Sequence, residues 1–132
     1  MDRLCRQTPP AADAADPVLA AIQAHSETRA AFTASCNLAD EVWRQGHELN
    51  TSDAAMAPAR AAWETAGIAD IEAWNAVFQT PPTTRAGLVA MIQHAQRWAS
   101  EMVGVHGATT LGDILAGIAA SAERLSGKGE EV

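Results

Sequence analysis

The chain contains no Tyr, two Phe, two Cys and a single Lys among 132 residues. Each scarcity removes an explanation. Two cysteines cannot form a disulfide framework, so the fold must rest on an apolar core. A chain of this length buries roughly 65–70% of its unfolded surface and needs no staple. Cys5 and Cys36 therefore read as free thiols, Cys36 on a core face. The formal net charge is −7 and no basic cluster occurs, which argues against binding to a nucleic-acid backbone. The acids are diluted by bases and form no run that would mimic a phosphate spacing. No apolar run approaches the ~20 residues that span a bilayer. The first residues lack the apolar core of a signal peptide, so the cytoplasm is the expected compartment and no membrane partner is expected.

Catalytic and metal signatures are equally scarce. There is no Glu-x-x-His, no His-Glu-x-x-His and no Cys-x-x-Cys. The serines fall in helical or turn contexts, none of them a nucleophile elbow. No catalytic residue, metal or cofactor is expected.

What the chain does have is alanine, 30 residues of it, and four Trp: Trp43, Trp63, Trp74 and Trp98. Ala is the strongest helix former, and small side chains let helices approach closely while a few Trp fill the gaps. The abundance of Ala and of Arg over Lys also suits a GC-rich bacterial genome.

Helical spacing organises most of the sequence. Residues 1–15 read as a flexible tail, 16–127 as a single helical domain and 128–132 as a second tail. Asp16-Pro17 starts the fold, an N-cap followed by the residue favoured at the first helical position. Val18, Ile22, His25, Phe32, Cys36, Ala39 and Trp43 form one stripe on a helix predicted to reach about Leu49, with fraying at Gly46. After a turn at 50–53, Met56, Ala59, Trp63, Gly67, Ile71, Trp74 and Phe78 form a second stripe. Pro58 calls for a kink or a later start, and the stripe keeps phase across Gly67, which favours one continuous helix. Thr80-Pro81-Pro82-Thr83-Thr84 must end that helix, because neither Pro offers an N–H and the residue before each is driven out of the α region. Thr83 and Thr84 then offer caps, and Gly87 lets the returning helix approach closely. Leu88, Met91, Ile92, Ala95, Ala99, Met102 and Val103 define the third helix, bounded by Gly104 and Gly107. Leu111, Ile114, Leu115, Ile118, Ala122 and Leu125 define the fourth, with Thr110 and Asp113 at capping-box spacing and Gly127 as a stop. The predicted fold is all-α: a long antiparallel helical hairpin followed by two shorter helices, four-helix bundle-like.

Two groups of residues follow from this layout. On the hairpin stripes, His25 and Arg29 face Asp70 and Trp74, which predicts an Arg29–Asp70 ion pair with Arg29 stacked on Trp74. This polar group would either set the hairpin register or line a ligand pocket. The second group is the hairpin tip, Trp43, Leu49, Met56 and Trp63. Two short helices cannot cover two long ones, so the tip exposes apolar surface, unless the first helix breaks at Gly46 and folds the tip back. His94 sits at the edge of its stripe and is expected at the surface; His106 falls in a Gly-flanked loop.

Asp16-Pro17-Val18-Leu19-Ala20-Ala21-Ile22-Gln23-Ala24-His25, with Ala30-Ala31-Phe32 beyond, resembles the opening of a group of small alphaproteobacterial helical proteins. Thr80-Pro81-Pro82-Thr83-Thr84 with Ala86-Gly87-Leu88 resembles their midpoint. Ser26 stands where that group often carries Arg. The resemblance implies an α-helical cytoplasmic bacterial protein and no particular chemistry.

The functional expectation is a non-catalytic protein-interaction or regulatory module acting through the hairpin surface, with homodimerisation as one form of it. Two alternatives stand beside it: a mobile-element or phage inhibitor of a host enzyme, and a small-ligand binder using the inter-helix pocket.

Overall fold

The computed structural model describes residues 16–48 and 53–130. Four helices account for nearly all of them: α1 (Pro17–Glu48), α2 (Asp53–Phe78), α3 (Arg85–Met102) and α4 (Leu111–Glu130). No strand occurs among the described residues. The all-α, bundle-like architecture agrees with the sequence.

Helices α1 and α2 form the long hairpin. With 32 and 26 residues they extend about 48 Å and about 39 Å at 1.5 Å per residue. The register is visible in its contacts. Arg29 bonds Asp70, Phe32 abuts Gly67, Cys36 meets Trp63 and Gly46 faces Met56. Gly67 and Gly46 matter for the same reason. A Cβ on Gly67 would lie 3.2 Å from Phe32 Cε1, and one on Gly46 would lie 2.7 Å from Met56 Sδ. Both glycines sit inside helices, so α1 does not break at Gly46 and the tip does not fold back. A helical Gly costs about 1 kcal/mol relative to Ala, which close packing of a bulky neighbour offsets. Pro58 also lies inside α2, in its second turn, where it forfeits one hydrogen bond. The turn at 49–52, including Leu49, falls outside the described residues.

Helices α3 and α4 form a second layer over the base of the hairpin only. Trp74, Ala95, Met102 and Ile114 make one buried cluster; Val18, Val77 and Met91 make another, and Ile118 packs against both. With 18 residues, α3 extends about 27 Å and ends at Met102, whose sulfur accepts from Arg29 Nη1 at 3.0 Å. Beyond Arg29 no described element covers the face of the hairpin on which α3 lies.

The Pro-Pro corner is held more firmly than its own residues account for. Thr84 caps α3 by accepting from the Gly87 N–H at 2.9 Å. The same hydroxyl donates to Asp16 Oδ2. Asp16 also accepts from the N–H groups of Thr83 (3.2 Å), Thr84 (3.1 Å) and Val18 (3.3 Å). One carboxylate therefore caps α1 and clasps the corner 67 residues later. Arg124 of α4 adds a bond to the Pro82 carbonyl at 2.8 Å. Burial pushes the Asp16 carboxyl up, but the Thr84 hydroxyl and the three N–H groups outweigh it and hold the carboxyl below its ordinary value.

Gly87 is what makes the clasp fit. A Cβ there would overlap the Asp16 carboxylate. Gly87→Ala is expected to lower stability by about 1–3 kcal/mol, because the carboxylate must leave its donors to make room. Urea denaturation checks this; a loss under about 0.5 kcal/mol would show that the clasp contributes little.

The α3–α4 connection turns on Gly104 and Gly107, at φ +99° and +88°. Asn75 of α2 anchors it, accepting from the Thr109 N–H and hydroxyl at 2.6 Å each and donating to the Gly107 carbonyl at 2.9 Å. Thr110 accepts from the Asp113 N–H at 3.2 Å, one half of the capping arrangement read from the sequence. Helix α4 passes through Gly127 to Glu130, so Gly127 is not a stop and residues 128–130 are helical rather than tail.

Candidate functional site

The structure brings His25, Arg29, Asp70 and Trp74 together at the base, as the stripes require. Arg29 Nη1 donates to Asp70 Oδ2 at 2.9 Å, and the Thr28 hydroxyl to Asp70 Oδ1 at 3.3 Å. At the periphery Arg29 Nη2 reaches Glu101 at 3.3 Å. The stacking partner differs from the expected one. Arg29 lies between Phe32 and Trp98, 5.1 and 5.6 Å from their ring centroids, and not on Trp74. Trp74 instead packs against His25 and edge-on against Phe78, at 5.2 and 4.7 Å between centroids.

His94 belongs to this cluster, which corrects its placement at the surface. It is buried, and its Nε2 lies 2.8 Å from His25 Nδ1. Helix α3 turns Gly87, Met91, His94, Ala95 and Met102 inward. That face is rotated from the stripe through Leu88 and Ile92, because His94 serves as a core residue. The readable signal was the Met91–Ala95–Met102 spacing with His94 and Trp98 between.

His25 Nε2 lies 3.2 Å from Asp70 Oδ1 but off the line of a hydrogen bond. The carboxylate still favours the proton on Nε2, which leaves Nδ1 to accept from His94. Two neutral imidazoles satisfy this arrangement. Burial, reinforced for His25 by the Arg29 charge and for His94 by His25 and Arg97, lowers both to about 4. Burial raises the Asp70 carboxyl, and Arg29 with the Thr28 hydroxyl opposes it.

The result is a polar chain, His94–His25–Asp70–Arg29–Glu101, crossing three helices. Its centre is closed to solvent: His25 and Trp74 are 0% exposed and Asp70 2%. Such an enclosed, paired group holds helices in register, since a shift of one turn would leave a buried charge unpaired. Among the described residues no group of three His, Cys, Asp or Glu side chains is arranged to hold a metal. No described helix is long and apolar enough to cross a membrane.

The second group occupies the uncovered distal half of the hairpin. A groove of about 380 Å³ runs between α1 and α2, lined among others by Cys36, Trp43, Met56, Arg60 and Trp63. Trp43 is 54% and Trp63 40% exposed, while Met56 is buried against Gly46. Met56 is thus the floor rather than the surface. Trp63 stacks on Phe32 at 6.5 Å between centroids and donates its indole N–H to Cys36 Sγ at 3.2 Å. Asp40 and Arg60, on opposite helices, complete the lining with opposite charges.

No family model matches the chain, and neither a curated protein nor a solved structure is significantly similar to it.

Proposed function

We propose that the chain is a non-catalytic protein-interaction module that receives a helical partner face on the open distal half of α1 and α2. One observation carries this reading. One inward stripe, apolar apart from the His25–Arg29–Asp70 group, runs the length of the hairpin, and α3 covers it only from Val18 to Arg29. From Phe32 outward the same stripe carries Cys36 and Trp43, opposite Trp63 and Met56, around an open groove. A half-exposed Trp on such a surface loses the free energy that burial would give it, and contiguous apolar surface of this kind marks contact sites. Two helices flanking a groove are shaped to accept further helices, whose apolar residues fill the space between them.

Site-specific photo-crosslinking tests the reading. Benzoylphenylalanine replaces Trp43, or as a control Leu115, an exposed apolar residue of α4. In an extract of the cells that make the protein, position 43 is expected to give one discrete adduct and position 115 none. Equal labelling from both positions, or none from 43, would refute the module reading.

A further inference from the structure

We infer that the helical face received by this groove is the same groove of a second copy, turned end for end. The inference rests on the distal half being an interface and identifies what covers it.

Shape is the first support. Among the described residues the base is two layers deep, α1 and α2 beneath α3 and α4, and the distal half is one layer deep on the same face. The step between them is one helix diameter, about 10 Å. A second copy rotated about a two-fold axis perpendicular to the hairpin brings a layer of that thickness into the step. Its own distal half fills the space past Met102, while its α3–α4 layer lies beyond the first copy's tip. The uncovered length, from about residue 33 to Glu48, is the same on both copies, so neither leaves part of the stripe bare. The opposite arrangement, with both bases at one end, would set the two α3–α4 layers against each other and hold the grooves apart.

Helix direction and area give the second support. End-for-end pairing lays α1 antiparallel on the partner's α1 and α2 antiparallel on its α2. Every adjacent pair in the resulting four-helix core then runs antiparallel, the usual up-and-down bundle arrangement. Such a contact is isologous, so one favourable interaction is made twice. The footprint is about 24 Å long and two helices wide, which buries roughly 1,000 Å² over both copies. That is the lower bound of specific interfaces, so dimerisation in the micromolar range is expected rather than an obligate pair.

Sedimentation velocity on the purified full chain, from roughly 1 to 100 µM, tests this directly. The expected result is a monomer–dimer equilibrium. Trp43→Glu should weaken it at least tenfold and Leu115→Glu leave it unchanged, both variants keeping the helical circular dichroism of the parent. Because Trp43 is half exposed, its substitution leaves the core intact. Photo-crosslinking from position 43 in the purified protein should double the mass and map to the partner's residues 33–48 or 53–66. A monomer at every concentration, a dimer insensitive to Trp43→Glu, or an adduct mapping to α3 or α4 would overturn the inference. If position 43 captures a different protein in extract while the purified chain stays monomeric, the second copy is refuted and the module reading stands.

Discussion

Asp70→Ala is expected to destabilise the protein by about 3–5 kcal/mol, one of the two largest effects of any change considered. Among the described residues Asp70 is the only carboxylate inside the cluster; Glu101 meets Arg29 from the edge and is half exposed. Removing Asp70 leaves a guanidinium that is 14% exposed between two aromatic rings with no internal counter-charge. It also removes the carboxylate beside His25 Nε2, while the Thr28 hydroxyl keeps the His25 carbonyl as an acceptor at 3.0 Å. Asp70→Asn keeps the shape but not the charge and should cost less, about 1–3 kcal/mol. Urea denaturation at neutral pH distinguishes the two. A loss below about 1 kcal/mol for the Ala variant would mean that Arg29 escapes to solvent and that apolar contacts alone set the register.

Acidification gives the second large effect. His25 and His94 are held near 4 in the folded protein, against 6.5 for a free imidazole. Between those values the unfolded chain binds protons that the folded chain refuses. Stability is therefore complete above pH 6.5 and falls as pH drops through the window towards 4. The slope approaches about 1.4 kcal/mol per pH unit for each imidazole. Burial is the main reason, and charging both rings would in addition set N–H against N–H across 2.8 Å. Asp70, raised by burial, takes up its own proton early and offsets part of the loss at the acid end. Asp16 acts later, its clasp being lost only below the ordinary carboxylate range. Urea midpoints from about pH 7.5 to about pH 4.5 should show the fall, and His94→Gln should roughly halve its slope. An unchanged slope in that variant would place the sensitivity at other groups.

How much of this the sequence revealed depends on which rule each residue obeyed. Where a helical stripe was built from apolar residues and carried one Arg opposite one Asp, spacing alone placed Arg29 on Asp70. The Thr84 cap and the close approach at Gly87 were legible because capping and sterics are local. His94 was not legible: its charge-capable ring looks like a surface group, and only the buried ring of His25, 69 positions away, makes it a core residue. Arg29 meets Phe32 and Trp98 rather than Trp74 because α3 brings Trp98 against it, which depends on how α3 docks. The reach of Asp16 to Thr83 and Thr84 was hidden for the same reason. Gly46 and Gly127 misled in one direction. Glycine signals a helix end only when a left-handed residue is needed, and in both places the helix simply continues.

These observations divide the molecule. The base is locked by a buried polar chain and the Asp16 clasp, and among the described residues the groove of the distal hairpin, where the proposed interface lies, stays open. Hydrogen–deuterium exchange measured across a dilution series tests that division most directly. Amides in residues 33–48 and 53–66 should gain protection as concentration rises, while those in 18–30, 70–78 and 88–102 stay protected at every dilution. Distal protection that equals that of the base and ignores concentration would contradict it.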